Sequence, residues 1–161
     1  IYKSKTKGTI AGEAATFFLL ANEPSATDYA KLDGLHTFYK PDGTDEIEKQ
    51  INSFLEKQHI SIDDIDLIIT GKNGDSGEDE VYELLSKTIF AGKENINYKY
   101  LCGEYPTAAA FAMWLAATIV KSGRVPETVG FTDSPEKKIK KVLVYNHYQG
   151  VHHSLTLLSA C

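Results

Sequence analysis

A charged turn that leads directly into a helix of small residues is the segment best suited to chemistry. The turn contains Lys99, Gly103 and Glu104, and the helix is predicted over 107–121. Gly103 gives the backbone freedom to turn, so the ammonium and carboxylate groups on either side can converge on one site. We therefore predict that Lys99 and Glu104 form an ion pair. Asp75, in a neighbouring loop, is an alternative partner for Lys99.

Three other segments combine predicted strands with glycine or polar turns. The first is Gly12-Glu13-Ala14-Ala15, followed by an apolar run over 16–20 that is predicted to be a strand. The second is a buried strand over 65–70 that ends in the loop Gly71-Lys72-Asn73-Gly74-Asp75. The third follows a strand over 142–146 and reads Asn146-His147-Tyr148-Gln149-Gly150-Val151-His152-His153.

Taken in order, these four segments resemble motifs of the β-ketoacyl synthases, the condensing enzymes of fatty acid and polyketide synthesis in the thiolase-like group. The turn at Lys99 is similar to K-S-x-x-G-H-x-x-G-A-A-G, but Glu104 occupies the position of the second catalytic histidine. The loop after residue 70 is similar to A-H-G-T-G-T, with Gly74 matched and Gly71 in place of the first catalytic histidine. Gly12-Glu13-Ala14-Ala15 is similar to G-E-G-A-G, and the segment from Asn146 is similar to N-S-F-G-F-G-G-T.

The resemblance implies a C-terminal half of a longer protein. The family nucleophile is a cysteine upstream of the G-E-G-A-G turn, and this chain begins only about a dozen residues before that turn. Cys102 and Cys161 do not fill that position, and Cys102 is expected to be a small buried residue. We therefore expect 1–161 to be a single domain of the C-terminal type, without the nucleophile and without condensing activity of its own.

The resemblance also implies a site with altered chemistry. In the family, two histidines donate hydrogen bonds to the malonyl thioester carbonyl and stabilise the enolate. Gly71 has no side-chain donor, and an ionised Glu104 only accepts. Lys99 and Glu104 are the predicted catalytic residues, and further candidates for the oxyanion site or its loops are Asn73, Asn146, the backbone amide of Gly150, His152 and His153. Adjacent residues on a strand point to opposite faces, so at most one of the last two histidines faces a pocket.

The order of predicted elements indicates an α/β fold with a mixed sheet. Strands are predicted over 35–39, 65–70, 96–100, 142–146 and 154–158, and helices over 44–59, 78–89 and 107–121. The resemblance implies one half of a duplicated αβαβα arrangement, with helices on both faces of the sheet. The alanine-rich third helix is expected to be the buried central one, with Trp114 largely buried.

Composition places the chain among ordinary globular domains. Of its 161 residues, 42% are hydrophobic and 24% charged, and the net charge of −5 gives no electrostatic reason to expect nucleic acid as a partner. The longest apolar run is too short to span a membrane and no signal-peptide pattern opens the chain, so a cytoplasmic protein is expected. We predict no metal and no cofactor. Two groups of lysines, at 3–7 and 137–141, are solvated faces or a docking patch for an acidic carrier protein.

Three functions fit these observations. The chain is the C-terminal domain of an acyl-carrier-protein-dependent ketosynthase, a chain-length-factor-like subunit that shapes the acyl tunnel of a catalytic partner, or an α/β scaffold module. The first two imply acyl carrier protein and an acyl thioester as ligands, and a homodimer or heterodimer as the assembly. A nucleophilic cysteine in the complete protein distinguishes the first function, and co-purification with a ketosynthase distinguishes the second.

Overall fold

The computed structural model describes residues 6–129 and 138–161, and its strands form one mixed five-stranded sheet. The strands are β1 (Lys31–Tyr39), β2 (Leu67–Thr70), β3 (Asn95–Asn97), β4 (Lys141–Tyr148) and β5 (His152–Ser159), arranged in the order β1-β5-β4-β2-β3. β2 runs parallel to both β3 and β4, whereas β5 runs antiparallel to β4 and β1. The predicted mixed sheet is confirmed.

Helices cover both faces of this sheet, as predicted. They are α1 (Gly43–Lys57), α2 (Glu80–Leu85), α3 (Lys99–Cys102) and α4 (Ala108–Ser122). One core lies between α4 and the sheet and contains residues such as Ile69, Val144 and Leu158. The other core lies between α1, α2 and the opposite face, and contains Leu143 and Leu155. Alternate residues of a strand point to opposite faces, so the apolar run of each central strand supplies both cores.

Helix α4 lies close to the sheet through a stripe of small residues. Ala108, Ala112 and Ala116 recur every four residues and are buried in the core on that side. The prediction that Trp114 is largely buried is wrong, because its side chain lies on the outer side of the helix and is 43% exposed. It contacts Phe111, with 5.3 Å between the ring centroids. In the described chain no second layer covers this side of α4.

Several predicted boundaries differ from the structure. α2 ends at Leu85 rather than near residue 89, and the hydroxyl of Thr88 donates to the carbonyl of Leu84 in the turns that follow. The strand predicted over 96–100 ends at Asn97, after which the chain enters α3. The strand predicted over 16–20 is absent from the structure: this run has no regular secondary structure, and Phe17 and Leu19 are almost fully exposed.

In the part of the chain that the structure describes, no helix has both the length and the apolar character needed to cross a membrane. Of the two predicted lysine groups, Lys3, Lys5 and Lys137 lie outside the described residues. The docking-patch interpretation of these groups therefore remains a prediction.

Candidate functional site

Loops from all four sequence motifs meet at the carboxyl ends of β2, β3 and β4, the usual position of ligand sites in open α/β sheets. The segment before Gly12 crosses the turn after α3, where the amide of Gly12 donates to the Glu104 carbonyl at 3.1 Å. The hydroxyl of Thr9 donates to the Asn73 carbonyl at 3.0 Å. A Cβ at Gly12 would lie 1.9 Å from the Cys102 carbonyl oxygen, so this crossing requires glycine.

The predicted pair between Lys99 and Glu104 is confirmed. The Lys99 ammonium lies 2.6 Å from Oε2 of Glu104, and the lysine side chain is only 2% exposed. α3 makes the approach possible because its helical turn ends at Gly103, which has a φ of +73° and donates its amide to the Lys99 carbonyl. The side-chain nitrogen Nδ2 of Asn73 donates a hydrogen bond to the same carboxylate oxygen at 2.8 Å. Glu104 is therefore occupied by two donors from the protein itself.

Asn73 is held in place by a carboxylate that sequence analysis did not assign to the site. The Asp79 carboxylate accepts hydrogen bonds from the backbone amides of Asn73 and Gly74, at 2.8 and 2.9 Å. Desolvation raises the pKa of Asp79, and these two hydrogen bonds oppose the shift. The sequence predicted Asp79 as a first-turn residue of a helix, which explains why this role was missed. The Asp79 carboxylate turns back to order the loop instead.

The space beside Gly71 is filled. A Cβ built at Gly71 would lie 2.0 Å from Oδ1 of Asn146 and 2.7 Å from the hydroxyl of Tyr82. Oδ1 of Asn146 is itself held by the Tyr98 hydroxyl, which donates to it at 2.9 Å. The position that corresponds to the first family histidine is therefore closed to a side chain. The candidate Asn146 lies at the site, but it fills this space.

His147 is a buried, neutral histidine with both nitrogens engaged. Its Nδ1 accepts a hydrogen bond from the Gly150 amide at 3.1 Å, so its Nε2 carries the proton and donates to the Glu78 carbonyl at 2.9 Å. Burial lowers the pKa of His147 to about 4, and the nearby His153 contributes to the shift. The Glu78 carboxylate lies 3.4 Å from Nδ1 without forming an ion pair. In this structure the Gly150 amide points at His147.

The other two late histidines lie on opposite faces of the sheet, as strand alternation predicts. His153 is buried on the α1 side, stacked on Phe38 at 4.8 Å between ring centroids, and its Nδ1 lies 3.0 Å from the Tyr145 hydroxyl. His152 lies on the α4 side, where its ring centroid is 5.1 Å from that of Tyr39. Both residues are among those that line an open cavity beside the start of α4, and of the two only His152 is exposed.

Neither cysteine supplies a nucleophile. Cys102 is half-buried beside the α4 core rather than fully buried, and its thiol makes a weak contact with the Tyr98 carbonyl at 3.8 Å. Desolvation raises the pKa of the Cys102 thiol, so the thiol stays protonated at neutral pH. Cys161 is exposed at the end of the chain. Among the described residues, no group of three or more His, Cys, Asp or Glu side chains is arranged to hold a metal ion.

The loops enclose an acidic cavity of about 260 Å³, the Glu104 cavity, lined by Thr9, Asn73, Asp75, Glu78, Glu104, His147, Tyr148 and Gln149. Three carboxylates face it. Hydrogen bonds from the backbone, first of all from the Gly8 amide, lower the pKa of Asp75, whereas desolvation and then the charge of Asp75 raise the pKa of Glu78. Lys99 neutralises only one of these groups. The cavity therefore disfavours a substrate that carries its own carboxylate.

Stability should fall as the pH drops from about 6.5 toward 4, because His147 is neutral in the folded chain and takes up a proton on unfolding in this range. Burial lowers the pKa of His153 in the same direction, so His147→Gln should remove only part of this dependence. Urea melts at pH 4.5 and 7.5 measure the difference. His59→Asn is the matched control because His59 is exposed. An unchanged pH dependence in His147→Gln would contradict the assignment.

Solved structures show which fold this is. The chain is similar to the ketosynthase ApeO in complex with its chain length factor ApeC from Xenorhabdus doucetiae, with a TM-score of 0.71 and 19% identity over 86% of this chain and 40% of that one. It is also similar to the ishigamide ketosynthase/chain length factor, with a TM-score of 0.68 and 14% identity over 83% of this chain and 38% of that one. No family model and no curated protein matches the sequence.

A third similar structure is a type II polyketide synthase acyl-carrier protein in complex with its ketosynthase bound to the hexaketide. Its TM-score is 0.63, with 16% identity over 83% of this chain and 39% of that one. The chain therefore has the thiolase-like fold of ketosynthases and chain length factors. It spans about two fifths of the length of each of these three structures.

Proposed function

We propose that this chain is the C-terminal half of a ketosynthase-fold protein that supports condensation by a partner and does not itself condense, in the manner of a chain length factor. The observation that carries the proposal concerns Gly71 and Glu104, the residues matched to the two catalytic histidines of the β-ketoacyl synthases. Asn146 and Tyr82 fill the space at Gly71, and Glu104 is bound by Lys99 and Asn73. Neither position offers a donor to a thioester carbonyl.

Electrostatics support the same function. A second carboxylate about 4 Å from the carboxylate of a malonyl group repels it by about 4 kcal/mol at an effective dielectric near 20. The ammonium of Lys99 removes much of this repulsion at Glu104, but Glu78 and Asp75 line the same cavity. Binding of malonyl thioester at this site is therefore unfavourable. The release of CO₂ from malonyl carrier protein is the experiment that tests the proposal.

A catalytic ketosynthase is the second candidate, and one observation favours it. Lys99, which corresponds to the active-site lysine of the family, is present and buried, with its ammonium at the site. In this alternative, Lys99, Glu104 and a late-loop histidine act as an acyltransferase together with a cysteine supplied by the rest of the protein. His152 is the late-loop histidine with an exposed ring on the α4 side.

We infer that the partners are an acyl carrier protein with its acyl thioester and a second ketosynthase-fold half or subunit, in a cytoplasmic pathway of polyketide or fatty acid synthesis. The outer side of α4 supports the inference about a second half. Trp114, Leu35 and Tyr39 are exposed on the α4 side of the chain, and Phe17 and Leu19 expose an apolar run. Exposed apolar groups of this extent are typical of protein interfaces.

Trp114→Ala should weaken assembly much more than it destabilises the chain. With 43% of the side chain exposed, we expect a loss of about 1 kcal/mol or less in urea melts of the chain alone. An interface tryptophan typically contributes 2 kcal/mol or more to binding, so the affinity for the partner should fall about thirtyfold. Tyr100→Ala, at a partly exposed aromatic in α3, is the control. Equal effects of both variants on assembly would contradict the assignment of this face.

A further inference from the structure

A lysine and an asparagine share one carboxylate oxygen at the candidate site. Oε2 of Glu104 lies 2.6 Å from the Lys99 ammonium nitrogen and 2.8 Å from Nδ2 of Asn73. Because both nitrogens contact the same oxygen, the ammonium group lies beside the side-chain amide of Asn73. Both side chains are shielded from solvent, since Lys99 is 2% exposed and Asn73 is 6% exposed. An amine, a carboxamide and a carboxylate are therefore held together away from bulk water.

The carboxamide of Asn73 is held at both ends. Its Oδ1 accepts a hydrogen bond from the backbone amide of Asp75 at 3.0 Å, a donor that stabilises the negative charge formed on Oδ1 when a nucleophile adds to Cγ. Its Nδ2, the group that leaves in such a reaction, donates to Glu104, which can supply it with a proton. The Asp79 carboxylate fixes the loop through the backbone amide of Asn73. The carboxamide is thus oriented for substitution at Cγ.

Lys99 has a base in contact with it. The ammonium must lose a proton before its nitrogen can attack, and the Glu104 carboxylate is at hydrogen-bond distance. The fully buried ring of Tyr98 lies 5.8 Å from the same nitrogen and limits the access of water. An amine and an amide do not exchange readily in water, but groups fixed beside each other can react as if at an effective concentration of about 10⁵ M or more.

We propose that Lys99 and Asn73 become joined by an amide bond between their side chains, with loss of ammonia. Glu104 takes a proton from Lys99, Nζ adds to Cγ of Asn73, and the electron pair of the carbonyl moves to Oδ1. Glu104 then relays protons to Nδ2, the bond between Cγ and Nδ2 breaks, and the carbonyl forms again. Of the three ammonium hydrogens, one stays on the new amide and two leave with the departing nitrogen as an ammonium ion, so the carboxylate is restored.

The bond would tie the loop after β2 to α3. It closes the stretch 73–99, which contains α2 and β3, and so restricts the unfolded chain. It also removes the positive charge that neutralises Glu104, which makes the Glu104 cavity more acidic. The bond forms after folding, so the ion pair is present in chains of full mass, and variants of the pair are compared in such chains. The reaction needs only this chain and does not depend on the proposed function.

Mass spectrometry of the purified full chain tests the proposal. After incubation of the folded chain at neutral pH, its intact mass should fall below the sequence mass by one molecule of ammonia. Digestion with trypsin should give a branched peptide that joins Asn73 to Lys99, with no cleavage after Lys99. Lys99→Met should abolish both results. Lys72→Met is the matched control, because Lys72 pairs with Glu83 at 2.9 Å on the surface, and it should leave both unchanged.

A second reaction with the same change of mass is distinguished by these variants. Attack of the Gly74 backbone nitrogen on Cγ of Asn73 forms a succinimide and also releases ammonia, but it needs no lysine and no folded chain. The loss of ammonia should therefore be absent in urea, and Glu104→Gln should slow it at least about a hundredfold in the folded chain. Full mass in the folded chain after prolonged incubation, a loss that persists in Lys99→Met, or an equal loss in urea would overturn the proposal.

Discussion

Replacing Glu104 by glutamine is expected to destabilise the chain by about 3–5 kcal/mol, the usual effect of removing one member of a buried ion pair. The Lys99 side chain is 2% exposed and its ammonium lies 2.6 Å from the Glu104 carboxylate, so the substitution removes the negative charge that faces a buried positive one. Urea melts at neutral pH measure the loss.

The double variant Glu104→Gln with Lys99→Met is the control, because it removes both charges and keeps a side chain of similar length in each position. It should recover most of the stability that the single variant loses. A loss below about 1 kcal/mol in Glu104→Gln would contradict a buried pair. A double variant no more stable than the single variant would contradict the charge of Lys99 as the cause of the loss.

Gly71→His is expected to destabilise the chain by about 3 kcal/mol and to confer no condensing activity. The reason is steric: Oδ1 of Asn146 and the hydroxyl of Tyr82 occupy the space into which the new side chain would project. Tyr82 cannot move freely, because its hydroxyl accepts a hydrogen bond from the His147 amide at 3.0 Å. Restoring the family residue therefore disrupts the loops around it.

Gly71→Ala tests the same closed space with a smaller side chain. Gly77→Ala is its comparison, since both glycines lie in the same loop. A Cβ at Gly77 would meet only an Asp75 carboxylate oxygen, at an ordinary 3.4 Å. We expect Gly77→Ala to change stability by less than about 0.5 kcal/mol and Gly71→Ala to cost several times more. A Gly71→His chain with native stability would contradict the closed position.

The fold was predictable from sequence where local patterns decide the structure. The run Ile68-Ile69 predicts a strand buried on both faces, and the structure places the two residues in opposite cores. The exposure of Trp114 could not be predicted from an apolar helix sequence, because the side of α4 that is covered depends on what packs against the helix. The same holds for the run over 16–20, which is apolar like a buried strand but has no strand partner in the described chain.

Part of the site was predictable for the same reason. Lys99 and Glu104 are five residues apart around a glycine, so their pairing depends on local geometry. Asn146 lies 75 residues after Gly71 in sequence, and no local pattern shows that its side chain fills the space there. Asp79 was predicted as a helix residue, and its role in holding the loop appears only in the folded chain.

The most direct test of the non-condensing function is the release of CO₂ from malonyl carrier protein by the purified chain together with its ketosynthase partner. The partner carries alanine at both of its active-site histidines, so any remaining release belongs to this chain. We predict release at the background rate, unchanged by Lys99→Met. Sustained release above background that is lost on Lys99→Met would show that this chain decarboxylates the extender itself, and would contradict the proposed function.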